Sequence, residues 1–163
     1  MKSLIKHKYI IIVSTLVVFL DQFLKYLVSR NMRIGQSITV IQDILNITFV
    51  RNSGAAFGFL NRVPEHVTKP VFIVISLAFI VFIVLYYKNI NMNNTLINSA
   101  FGLIVGGALG NLIDRVRFGM VTDFVEVGLA DLKWPVFNLA DSAITVGIII
   151  LFIQFIRFRK ELA

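Results

Sequence analysis

Apolar residues fall in four long runs, separated by polar or β-branched stretches. The first covers residues 9–20 and keeps a helical pattern through Asp21-Gln22-Phe23-Leu24-Lys25-Tyr26-Leu27-Val28. At 1.5 Å per residue that length crosses a hydrocarbon core of about 30 Å. The second, residues 71–87, contains no charge. The third, residues 95–113, carries Gly102, Gly106 and Gly110 at intervals of four, with Gly107 and Ala108 beside them. Small residues at that spacing let helix backbones approach closely. The fourth, residues 136–158, is closed by Arg157, Arg159 and Lys160. Each run predicts a spanning helix.

Between the first and second runs the pattern changes. Residues 37–41 and 45–50 are β-branched and partly alternating, which predicts short strands. Gly54 and Gly58 follow and permit tight backbone approach. A small sheet at the membrane surface is expected here. Residues 61–70 read as a polar connection, residues 88–94 as a short turn, and residues 118–135 as a loop carrying Asp123, Glu126, Asp131, Lys133 and Trp134. Tryptophan suits the headgroup level. The predicted fold is an all-α membrane core of four transmembrane helices with a small β-sheet outside it, forming a single domain over residues 1–163.

Composition supports this picture. The chain is 57% hydrophobic and 15% charged, with a mean hydropathy of +0.82, outside the range of an ordinary soluble domain. There is no cysteine, which excludes disulfides and a thiol nucleophile. The net charge of +7 points to anionic lipid rather than nucleic acid, because no basic stretch alternates with exposed aromatics. The N-terminal run lacks a convincing small-residue cleavage site and reads as a retained first helix.

Four spans put both termini on one side. If the Lys88 turn lies on that side too, it carries seven cations and one acid, against nine cations and eight acids on the other. Counting cations alone therefore leaves orientation open, and many of the nine are expected to be paired with the neighbouring acids.

Asp141 is the anomaly: a carboxylate near the start of an apolar run costs free energy unless it has a task or a partner. Asp123 lies 18 residues upstream. Asp21, Lys25, Asn52, Asn111, Arg115 and Asn138 fall at the same end of the predicted spans, defining a polar pocket at the bilayer boundary. Asp21 and Lys25 are four apart and share a helix face; by themselves they read as a self-neutralising pair with the lysine snorkelling. Asn138 is placed on the helical face of Asp141, three residues before it.

His7 and His66 are remote and lack metal-ligand spacing, so neither a zinc site nor a Ser-His-Asp triad is expected. A phosphate-cradling glycine loop is also missing. Two neighbouring carboxyls that share a proton can act as general base and general acid. Acids in a four-helix membrane protein serve equally well in a proton-coupled transporter, and the residues alone leave both open.

Five blocks narrow the choice. Asp21-Gln22-x-x-Lys25, Asn52-x-Gly54-Ala55-Ala56-Phe57, Gly107-Ala108-x-Gly110-Asn111-x-x-Asp114-Arg115, Val121-x-Asp123-Phe124 and Phe137-Asn138-x-Ala140-Asp141 resemble the lipoprotein signal peptidase (signal peptidase II) family in order and spacing. They run from residue 21 to 141 with no departure at a motif position. The resemblance implies a bacterial inner-membrane aspartic endopeptidase, monomeric and without cofactor or metal. Its termini would be cytoplasmic and its active site near the outer face. It would act among membrane lipids on diacylglyceryl-modified prolipoproteins, cutting just before the lipidated cysteine, and globomycin-type peptides would block it. It assigns Asp123 and Asp141 as the catalytic dyad. Asn52, Gly54, Asn111, Arg115, Asn138 and Ala140 would line or order the pocket, Asp21 and Lys25 would support it, and the sheet would cradle substrate.

Overall fold

The computed structural model describes residues 2–54, 65–89, 94–129 and 132–161. Helix α1 is Lys2–Asn31, α2 is Glu65–Asn89, α3 is Thr95–Phe118 and α4 is Leu139–Glu161. Strands β1 (Ser37–Ile41) and β2 (Leu45–Asn52) lie between α1 and α2, and β3 (Val121–Leu129) and β4 (Leu132–Lys133) between α3 and α4. All four helices are long and apolar enough to cross a membrane, making the chain a multi-pass membrane protein.

Helix α3 is the hub. Over its most apolar window it is 61% buried, against 17%, 11% and 22% for α1, α2 and α4, and it packs on all three. The other helices turn their apolar residues outward, as a hydrocarbon solvent permits. The glycines explain the close approach. A Cβ on Gly102 or Gly106 would strike Val13, Ser14 or Val17 of α1. A Cβ on Gly107 would strike the Ala140 carbonyl and Ile144 of α4. The Gly107 clash is with backbone, so Gly107→Ala is expected to displace the start of α4 and cost about 1–3 kcal/mol. A fall in the thermal midpoint of the detergent-solubilised protein would measure this; an unchanged midpoint would show that α4 can yield.

The four strands form one antiparallel sheet in the order β1-β2-β3-β4. Strands β1 and β2 match the sequence pattern. The expected loop at 118–135 does not: nine of its residues form β3, whose first four, Val121 to Phe124, are buried. Alternation is lost there because α1, α3 and β2 pack around this half-strand, so both faces are enclosed and polar residues at both are bonded.

Pairing between β2 and β3 slips by one residue. Ile47 faces Val125, but Val50 faces Asp123. This β-bulge reverses the faces of β2. Before it, Asn46 and Thr48 lie on the face of Glu126 and both donate to that carboxylate. After it, Asn52 lies on the face of Asp123.

Helix boundaries also shift. Helix α2 starts at Glu65 and includes Pro70, within the expected connection. Helix α4 starts at Leu139 rather than Val136, because Asn138 caps it. Residues Ala55, Ala56, Phe57, Gly58 and Asp131, and the tip of the Lys88 turn, lie outside the described residues.

Candidate active site

Asn138 joins the two carboxyls. Its Oδ1 accepts the Asp141 amide at 2.9 Å, while Asp141 Oδ2 accepts the Asn138 amide at 3.2 Å. This reciprocal arrangement is a capping box at the start of α4, so Asn138 sits outside the helix instead of on its face. With Oδ1 occupied, Nδ2 is directed away from Asp141 and donates to Asp123 Oδ1 at 2.6 Å.

Two further asparagines hold the remaining oxygens. Asn52 Oδ1 accepts the Gly54 amide at 2.9 Å, which turns Nδ2 toward Asp123 Oδ2 at 2.8 Å. Gly54 has φ of 85°, and the Phe72 ring lies 2.6 Å from where a Cβ would stand, so no side chain fits there. Asn111 Oδ1 accepts from Lys25 Nζ at 3.0 Å and from Asn138 Nδ2 at 3.1 Å, leaving Asn111 Nδ2 to donate to Asp141 Oδ1 at 2.8 Å. Each amide orientation is thus fixed by a second partner.

Behind the pair lies a buried ionic cluster. Lys25 Nζ is 2.8 Å from Asp21 and 3.4 Å from Asp114, with all three side chains at 4% exposure or less. The lysine therefore points into the protein and does not snorkel. Asp21 Oδ1 also accepts the Ala140 amide at 3.0 Å, in the first turn of α4, where the helix dipole favours an anion. Asp114 Oδ2 accepts the Thr122 amide at 2.8 Å, tying β3 to α3. Gln22 Nε2 donates to Asp114 and to the Gly110 carbonyl, both at 3.1 Å. Gln22 and Asp114 stand in the sequence blocks but were not among the expected site residues. Their signal is a polar side chain on the glycine-lined α1–α3 seam, where any polar atom must find a partner. Arg115 turns toward α2, with Nη1 3.4 Å from Ser76 Oγ and its guanidinium 5.8 Å from the centre of the Phe72 ring.

Asp123 is 2% exposed. Burial, then the neighbouring Asp141 charge, pushes its carboxyl up to about 6, against the pull of the Asn52 and Asn138 amides. A raised carboxyl binds its proton more readily folded than unfolded, so this group's contribution to stability falls as pH rises from about 4 through about 6. Two carboxyls tied to one asparagine, one of them titrating near neutrality, can hold a single proton and serve as base and acid together. Among the described residues no group of histidine, cysteine and acids has the form of a metal site.

The chain matches known proteins along most of its length. The family described as signal peptidase (SPase) II matches residues 13–157. A lipoprotein signal peptidase of Halothermothrix orenii is 43% identical over 136 residues, covering 83% of this chain and 87% of that protein. Another, from Syntrophotalea carbinolica, is 40% identical over 146 residues, covering 90% and 89%. A bacterial membrane enzyme solved by the in meso method at 1.9 Å superposes with a TM-score of 0.79 at 36% identity, covering 90% of this chain and 91% of that one.

Proposed function

The chain belongs to the signal peptidase II family, and on that footing we propose that it removes signal peptides from prolipoproteins, with Asp123 and Asp141 as an aspartic dyad. The observation that carries the reading is the sharing of Asn138 between the two carboxyls. Family membership also selects the peptidase over the proton-coupled transporter that the same acids allow.

In the resting state the pair holds one proton. The ionised carboxyl takes a proton from water, and the resulting hydroxide attacks the carbonyl before the lipidated cysteine. The protonated carboxyl donates to the carbonyl oxygen, and proton return to the leaving nitrogen completes cleavage. Asn52, Asn111 and Asn138 keep the carboxyls aimed through this cycle, Gly54 and Ala140 leave room for the close approaches, and Arg115 binds substrate carbonyls or ester groups. The Lys25–Asp21 pair props the dyad from behind.

The site sits at the ends of the spans, at the level of the first turn of α4. A substrate with an apolar signal helix and acyl chains then stays in lipid while its scissile bond meets water. The reading places the protein in a bacterial inner membrane as a monomer, with cytoplasmic termini, the dyad near the outer face and globomycin-type peptides as inhibitors.

The test is cleavage of one precursor with and without its diacylglyceryl group. Cleavage of the lipidated form alone is expected; equal turnover of both would overturn the substrate assignment. The rate should also fall as pH rises through about 6, the value to which Asp123 is pushed beside the Asp141 charge, because the pair then loses its shared proton, and fall again at low pH where both carboxyls are protonated. A flat profile, measured where chemistry limits the rate, would remove the shared proton.

A further inference from the structure

A second polar cavity lies on the α1 side of the bundle, separated from the carboxyl pair by the Lys25 cluster. Its volume is about 50 Å³, and its walls include Tyr26 and Ser29 of α1, Arg117 and Phe118 of α3, Arg51 of β2 and Thr122 of β3. That exceeds the ~10–15 Å³ needed by one water and admits a group of a few heavy atoms.

The cavity is unbalanced in charge. Its walls carry three cations, Lys25, Arg51 and Arg117, and one acid, Asp114. Asp114 is already engaged by Lys25, Gln22 and the Thr122 amide. Arg51 and Arg117 form no ion pair among the described residues, where Lys25 and Lys133 alone of the cations at this end of the spans are paired. The expectation that many of these cations are neutralised by neighbouring acids therefore fails here.

Both guanidiniums are nevertheless held in place. They stack on the same ring, Phe118, at 4.3 Å for Arg51 and 4.8 Å for Arg117, and Arg51 donates to Thr122 Oγ1 at 2.8 Å. The two stacked guanidiniums leave the cavity with an uncompensated positive charge that an anion would balance, and a guanidinium suits a phosphate in particular. Tyr26, Ser29, Arg117 and Phe118 come from the ends of two spans, and the rim residues Tyr26 and Phe118 are 53% and 40% exposed. That is where headgroups lie and where tyrosine is enriched.

We propose that Arg51 and Arg117, across the Phe118 ring, bind the phosphate of an anionic phospholipid, clamping the sheet to α3 at the membrane surface. Arg51 comes from the sheet and Arg117 from the bundle, so one headgroup bridges the two. The lipid is structural and is not the substrate.

The test uses the full chain in nanodiscs of phosphatidylcholine, with and without phosphatidylglycerol, released into a mass spectrometer under native conditions. Wild type is expected to retain one phosphatidylglycerol that Arg51→Gln/Arg117→Gln loses and Lys133→Gln keeps. The double variant should bind roughly thirtyfold more weakly, since each cation near an anionic surface contributes about fivefold. Arg51→Lys/Arg117→Lys keeps the charge and should retain part of the binding, even if the glutamine variant folds poorly. Undiminished retention in the glutamine variant, or equal retention of phosphatidylcholine, would overturn the proposal. Protection of the protein from thermal unfolding by inorganic phosphate as strong as that by phosphatidylglycerol would overturn the lipid identity.

Discussion

Asp123→Asn and Asp141→Asn are each expected to lower the cleavage rate of a lipidated precursor by about 10³-fold or more, the general acid–base contribution being roughly 10²–10⁴-fold and the two groups acting as a unit. The protein should still reach the membrane. For Asp123 the stability effect runs the opposite way. Its carboxyl is pushed up to about 6 by burial, so at neutral pH the fold carries the cost of ionising a buried acid, on the order of 3 kcal/mol before relaxation. Asparagine removes that charge but puts an amide against the amides of Asn52 and Asn138, losing part of the gain. The thermal midpoint of Asp123→Asn is therefore expected to equal or exceed wild type while activity vanishes. Cleavage within tenfold of wild type by either variant would end the dyad assignment. A collapse in stability with Asp123→Asn would show that the carboxylate holds β3 in place.

Lys25→Met is expected to be the most damaging single change to stability. It leaves Asp21 and Asp114, 0% and 1% exposed, as buried acids without a cation. Breaking a buried pair this way costs about 3–5 kcal/mol. It also removes one of the two donors to Asn111 Oδ1, Lys25 at 3.0 Å, leaving only Asn138, and so loosens the amide directed at Asp141. Unfolding and cleavage should both suffer. Adding Asp21→Asn to Lys25→Met should recover part of the stability, because one uncompensated charge is then gone. A Lys25→Met protein unfolding at the wild-type midpoint would mean that the cluster is wetter than its burial indicates. The pair Lys133–Glu126, 2.9 Å apart with the lysine 62% exposed and Glu126 still held by Thr48 and Asn46, should be nearly neutral to the same substitution at Lys133.

What could be read from the chain depended on whether a local pattern encodes it. The spans were legible because a run of apolar residues long enough to cross a bilayer has few other uses. Strands β1 and β2 showed their β-branched alternation. Strand β3 did not, because Thr122 and Asp123 point to opposite faces and each finds a bonding partner, Arg51 for one and Asn52 with Asn138 for the other. Such a segment looks like a polar loop until its neighbours are known. The burial of Lys25 was hidden for a related reason: its second carboxylate, Asp114, lies 89 positions away. The carboxyls drew notice as anomalies, and the family blocks marked their supporting residues. The part of Asn138 as a cap outside the helix needed coordinates, since an Asn three residues before an Asp reads equally well as one helical face.

The first turn of α4 depends on the first helix. Its Ala140 amide is held by Asp21 of α1, and its Asn138 cap is shared with Asp123 of β3. During synthesis α1 emerges long before α4 and β3 just before it, and until α4 follows Asp123 has neither its Asn138 ligand nor Asp141. The carboxyl pair comes together only when the last span docks against the first. On the proposed reading, a chain halted after three spans would carry one carboxyl of the pair and no hydrolytic capacity.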